Sequence, residues 1–109
     1  MADIRSLLHL PGVFAVGEFD NQGELVDYAG DISLNVARMA AMMAKANSAT
    51  GNMQAAGYSD FTGKDGFSPV VGFAVSGTKK SALIVKNVGV FVDNDKADFD
   101  ALRNTLNKL

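Results

Sequence analysis

The residues able to carry chemistry are few, and their spacing defeats each reaction they suggest. His9 is the only histidine and there is no cysteine. A transition-metal site draws on clustered imidazoles and thiolates, and a disulfide or thiol nucleophile needs Cys. His9 stands among Leu7, Leu8 and Leu10, a setting for a structural or solvent-facing imidazole, and nothing places a serine against it for a hydrolase. The run Asp93-Asn94-Asp95-Lys96-Ala97-Asp98 has the acid density of a calcium loop. However, Ala97 takes the place of the fifth-position ligand, and Asp98 stands where the tight turn needs glycine. Helix capping accounts for these acids. Two glycine patterns suggest a phosphate loop. Gly57 to Gly63-Lys64 has one residue too many between its glycines, and Asp65 replaces the magnesium-binding hydroxyl. Gly72 to Gly77 has the right gap, but Thr78-Lys79 is inverted and the segment joins two strands, where an anion site needs a helix N-terminus. Asp20 with Glu24, and Asp27 with Asp31, lie at turns and strand ends, where carboxylates are solvated. The expectation is a protein that is not an enzyme, with no catalytic residue, metal or cofactor.

Composition narrows the remaining classes. The chain of 109 residues has the length of one domain, expected to span 1–109, and its 48% hydrophobic and 20% charged residues suit a globular core. A net charge of −2, with Lys79-Lys80 the only adjacent basic pair, argues against a nucleic-acid partner. The opening Met1-Ala2-Asp3-Ile4-Arg5 puts an acid before its only base and does not read as a signal peptide. No window approaches the roughly 20 apolar residues of a membrane span, so no membrane insertion and a cytoplasmic location are expected.

The elements follow from periodicity and turn chemistry. Asp3 can cap a short helix carrying Ile4, Leu7 and Leu8, ended by Pro11-Gly12. Val13 to Phe19 is apolar on both parities, as in a strand covered on both faces. Asp20-Asn21-Gln22-Gly23 turns it into a second strand, Glu24 to Tyr28, which Gly30-Asp31 breaks. A long helix then starts at an N-cap supplied by Asp31 or Ser33. Gly57 to Pro69 reads mostly as loop, with a short strand conceivable near Tyr58 to Thr62, and its aromatics are expected to pin it to the core. Three strands follow, at 70–76, 81–86 and 88–93, joined by turns too short for anything but antiparallel pairing. Asn94 or Asp95 caps a closing helix whose stripe is Phe99, Leu102, Leu106 and Leu109, with Asp98 in its first turn. The order α-β-β-α-β-β-β-α gives an α+β protein, a five-stranded antiparallel sheet flanked by helices.

The long helix is the unusual element. From Ser33 to Ala56, 24 residues carry only two charges, Arg38 and Lys45. One stripe runs Ile32, Val36, Met39, Met43, Ala46, Thr50, Met53, flanked by Ala40 on one side and by Met42 and Ala49 on the other. This broad face is expected to sit on the sheet. A second face holds only small residues, Ala37, Ala44, Ser48, Gly51 and Ala55, and is expected to let another backbone come close. One domain's worth of chain can hardly cover both, so a homodimer contact is favoured over burial within a single subunit.

Leu10-Pro11-Gly12-Val13 running into an apolar strand, the Asp20-to-Gly23 turn, the Met/Ala-rich helix and the strand meander into a C-terminal helix resemble the Roadblock (dynein light chain) domain, a relative of longin and profilin-like sheets. The Gly89-Val90-Phe91-Val92 strand is similar to that of a group of small uncharacterised bacterial proteins with this fold. The resemblance implies strand order 2-1-5-4-3. It also implies a homodimer in which the long helices lie side by side and the strand at 70–76 extends the sheet across the two-fold axis. Members of the family act as non-catalytic scaffolds and regulatory platforms, several of them for Ras-like small GTPases or motor complexes.

The expected dimer interface therefore comprises Ala37, Met39, Met43, Ala44, Ala46, Ser48, Gly51 and Met53 of the helix, with Val71 and Phe73 of the third strand. Tyr58, Phe61, Lys64 and Phe67 form a candidate partner or ligand loop. The rival reading is a small-molecule sensor whose concave pocket is lined by Tyr58, Phe61, Phe67 and Phe73.

Overall fold

The computed structural model describes residues 3–109. Met1 and Ala2, part of the stretch weighed above as a signal peptide, lie outside them. The chain opens in a 3-10 helix, Ile4–His9, whose N-cap Asp3 accepts the Arg5 N–H through its side chain at 3.1 Å. Strand β1, Val13–Phe19, pairs antiparallel with β2, Leu25–Gly30. Their turn is organised by Asp20, whose Oδ1 accepts the N–H groups of Gln22 and Glu24, both at 2.9 Å. Gly30 ends β2 with φ +95°, and a Cβ there would meet the Phe14 carbonyl oxygen at 2.4 Å. Only glycine combines that left-handed backbone with so close an approach.

Helix α1, Leu34–Thr62, begins at Ser33, whose hydroxyl accepts the Val36 N–H at 3.2 Å. It ends at Gly63 in the left-handed conformation, with the Gly63 N–H donating to the Ser59 carbonyl at 2.9 Å. The helix therefore continues through Gly57 and includes Tyr58 to Thr62, which the sequence reading assigned to a loop or strand. The stop signal is Gly63, because a capping glycine needs positive φ, whereas Gly57 sits on an open helix surface and merely tolerates the helix.

Strands β3 (Gly72–Ser76), β4 (Lys80–Val85) and β5 (Val88–Asp93) form an antiparallel meander. Helix α2, Phe99–Asn107, is capped by Asp98, which accepts the Ala101 N–H at 3.0 Å. Asn94 is not the cap because it is used elsewhere. It accepts from the buried Ser81 hydroxyl at 2.6 Å and donates to the Gly77 carbonyl at 2.9 Å, fixing the β3–β4 turn to the end of β5.

The five strands form one antiparallel sheet in the order β2-β1-β5-β4-β3. Alternation along each strand gives it two faces. Val16, Val85, Val88, Val90 and Val92 point to one face and make the main core with Ile4 and Leu7 of the 3-10 helix and Leu102 and Leu106 of α2. The other face carries Phe19, Leu25, Phe73 and Ile84, and α1 lies on it through Ala41 and Ala44.

Candidate interaction surface

The side of α1 that meets the sheet is the small-residue side. Its buried residues are Ala37, Ala41, Ala44 and Ala55, while Met39, Met42, Met43 and Met53 are half or more exposed. This reverses the sequence expectation, which laid the methionine stripe on the sheet. The reason lies in the strands. The sheet already presents the bulky Phe19, Phe73 and Ile84 under the helix. A helix backbone can approach such side chains only through alanines, since a second bulky layer would hold it off and leave voids. Ala37 and Ala44 are accordingly sealed within their own subunit and are not free to meet another chain. Gly51 is half-buried, its α-carbon facing Val70, and Ser48 borders a groove with Val70, Val71, Gly72 and Phe73. Of the residues expected at an interface, Met39, Met43, Ala46, Ser48, Met53 and Val71 remain exposed, and Phe73 is partly covered.

Ala41 belongs to neither stripe named from the sequence, yet it is the centre of the α1 contact. Its signal was the spacing Ala37, Ala41, Ala44, Ser48, Gly51, Ala55, as regular as the methionine stripe and lower only in hydrophobicity.

The aromatics at 58–67 do not anchor a loop to the core. Tyr58 and Phe67 pair with ring centroids 5.6 Å apart and remain exposed to solvent, and Phe61, on the last turn of α1, is 93% exposed. Lys64 is exposed beyond the helix end. These residues do not line the apolar cavity beneath α1. That cavity, about 270 Å³, lies between α1 and the sheet and is bounded by Ile32, Ala40, Met43 and Asn47 on the helix side and by Phe73, Val75, Ala82, Ile84 and Phe91 on the sheet side. Asn47 is its one polar side chain. It contains no nucleophile, acid, base or charged group, so the chemistry it offers is burial of apolar surface.

The outer edge of β3 is bare in the same region. Gly72–Ser76 pairs only with β4 and contains no charged residue, whereas edge strands are ordinarily protected by charge, proline or bulges. The opposite edge, β2, is guarded by Asp27, which binds Arg5. A second ion pair lies at the other end of the sheet. Lys80 pairs with Asp93, holding its carboxyl below the usual carboxylate range, and lies over the Phe14 ring at 4.8 Å. His9 is exposed. Among the described residues, no group of His, Cys, Asp or Glu is placed to hold a metal, and no helix is long and apolar enough to cross a membrane.

Sheet order, helix placement and the open apolar flank together define a Roadblock-type fold. Two solved structures are similar to it. One is the Roadblock/LC7 domain from Streptomyces avermitilis, at TM-score 0.78 and 14% identity, covering 96% of this chain and 86% of that one. The other is Myxococcus xanthus MglB, at TM-score 0.66 and 19% identity, covering 88% of this chain and 76% of that one. Among curated proteins, none matches the sequence. The chain belongs to the family described as Uncharacterized conserved protein (DUF2173), whose model matches residues 3–108.

Proposed function

We propose that the protein is a non-enzymatic homodimeric module that regulates or scaffolds a second protein, which it engages with a surface assembled from both subunits. The observation that carries this is the uncovered flank of α1. Met39 and Met43 are each more than half exposed, and Met43 borders an open apolar cavity whose sheet side includes Phe73 and Val75 of the unguarded edge strand β3. Contiguous apolar surface of this kind marks an interaction site, and a second copy of the chain covers helix and edge together. Following the Roadblock resemblance, the first partner to test is a Ras-like small GTPase, bound on the surfaces the dimer leaves open.

Multi-angle light scattering at micromolar concentration should give about twice the 11.5 kDa chain mass. A stable monomer would overturn the proposal. The partner is then sought by pull-down with purified small GTPases loaded with GDP or GTP.

The apolar cavity favours a second reading, a sensor of an apolar small molecule. A ligand selective for the folded state must raise the melting temperature. A thermal-shift screen with fatty acids and aromatic metabolites that finds no stabilisation would remove this reading and leave the first intact.

A further inference from the structure

Gly17 of β1 and Gly89 of β5 are partners in the ladder. They are the middle of a row that crosses all five strands as Tyr28, Gly17, Gly89, Ile84 and Phe73. Ile84 and Phe73 put this row on the α1 side of the sheet. Its two central members have no side chain, and opposite them α1 presents only the methyl groups of Ala40, Ala41 and Ala44. The apolar cavity is the space that both layers leave.

Glycine weakens the interior of a strand. It marks a bulge, a barrel corner, or a close approach by another backbone or by a ligand. The register shifts of β1 fall at Val13/Ala15 and Glu18/Phe19, away from the pair. The sheet is open, with β2 and β3 as its edges, and neither glycine has positive φ. A Cβ at Gly17 would meet nothing nearer than the Asp27 carbonyl oxygen at 3.8 Å, and one at Gly89 only the Ile84 Cγ1 at 3.4 Å. No atom of α1 comes within 4 Å of either. Backbone geometry and packing therefore permit side chains at both positions, and a ligand is the reason left for keeping the space.

Resting on the reading of the protein as a sensor of an apolar small molecule, we infer that the glycine pair holds open a slot for a neutral, fused-ring aromatic molecule of the indole type. No charged side chain lines the cavity, so a carboxylate or ammonium would enter it without a partner. A cavity of about 150 Å³ accepts benzene, and this one, at about 270 Å³, has room for two fused rings. One missing layer of side chains leaves a space shallow between helix and sheet and wide along the sheet, which suits a flat molecule. Phe19 and Phe91, each two residues beyond a glycine on antiparallel strands, stand at opposite ends of it. Asn47, exposed at the rim, offers a donor and an acceptor to a single polar group.

The chain has no tryptophan, so the fluorescence of indole reports its own binding. Indole is titrated into the unsubstituted chain, Gly17→Val and Ala40→Leu, with 2-naphthoate as the charged comparison and decanol, read by thermal shift, as the flexible one. Gly17→Val fills the slot from the sheet and Ala40→Leu from the helix, and circular dichroism checks that each folds. Saturable binding of indole, but not of 2-naphthoate or decanol, is expected, and both variants should lose it. If 2-naphthoate or decanol binds as well as indole or in its place, and the variants abolish that binding, the ligand class is wrong and the sensor reading stands. If none of the three binds, both fall. Should Gly17→Val unfold, Ala40→Leu decides. Indole binding that survives in a folded variant lies elsewhere and overturns the site.

Discussion

Arg5 holds Asp27 with both arms of its guanidinium, Nη1 at 2.7 Å from one carboxylate oxygen and Nη2 at 3.2 Å from the other. The pair ties the opening 3-10 helix to β2, the sheet edge away from the proposed dimer axis, and puts charge on a strand that would otherwise invite pairing.

A pH dependence follows from the same contact. The hydrogen bond from Arg5, helped by the Tyr28 N–H and the Arg5 charge, draws the Asp27 carboxyl below its ordinary value against the opposing effect of desolvation. A carboxylate with a depressed folded-state value contributes stability above its unfolded value and loses it as pH falls through the folded one. The melting temperature of Asp27→Asn should therefore lie below that of the unsubstituted chain at pH 7, and the gap should close below about pH 4. Thermal melts at the two pH values check this. A gap that persists unchanged in acid would show that the ion pair is not its source.

Gly72 supports the edge that the dimer is proposed to use. A Cβ at this position would stand 2.3 Å from the Ile84 carbonyl oxygen, a backbone atom held in the ladder. Gly72→Ala must push β3 away from β4. The expected cost is about 1–3 kcal/mol, in the range of other overpacking changes, measured by urea denaturation. Dimer dissociation should accompany it, since β3 and the α1 flank share one interface. Full stability in this variant would mean that the strand shifts freely.

Ser33 and Asp98 start the two α-helices by accepting N–H groups of Val36 and Ala101. Replacing either by Ala should cost about 1 kcal/mol, read from the midpoint of urea unfolding with the slope unchanged. Asp95→Ala should cost little, because Asp95, one of the two residues expected from the sequence to cap α2, is exposed and lies outside that helix.

That contrast shows where the sequence was legible. Val13–Phe19 and Val88–Asp93 were readable to the residue because local turn signals, Asp20 to Gly23 and Asn87, bound them on the spot, whereas the strand before Asn87 was drawn one residue long, since Lys86 takes a positive φ of 56° in the turn. The strand order came from resemblance to a known fold. The C-terminal limit of α1 was missed because Gly57 and Gly63 look alike in a sequence, and only the backbone shows which one adopts positive φ. The orientation of α1 was missed for a different reason. A stripe of methionines and a stripe of alanines are both helical in period, and the choice between them is made by the bulk of Phe19, Phe73 and Ile84 on the sheet beneath. That information belongs to packing. It is invisible until the strands are paired.

The orientation of α1 makes neighbouring substitutions diverge. Ala44 is 2% exposed and Met43 is 51% exposed, although they are adjacent on the helix. Ala44→Glu drives a carboxylate between α1 and the Phe19–Ile84 surface, with no partner for its charge. It should lower the stability of the subunit by about 3 kcal/mol or more, seen as loss of the cooperative urea transition at the original midpoint. Met43→Lys places its charge on the open flank instead, where the isolated subunit leaves it solvated. Its circular dichroism should be unchanged, while the dimer dissociation constant rises by roughly tenfold or more, because the second copy would have to bury an unpaired ammonium. Light scattering across a dilution series separates the two effects. If Met43→Lys leaves the dimer intact and Ala44→Glu dissociates a still-folded chain, the alanine side of α1 is the dimer contact and its placement against the sheet is overturned.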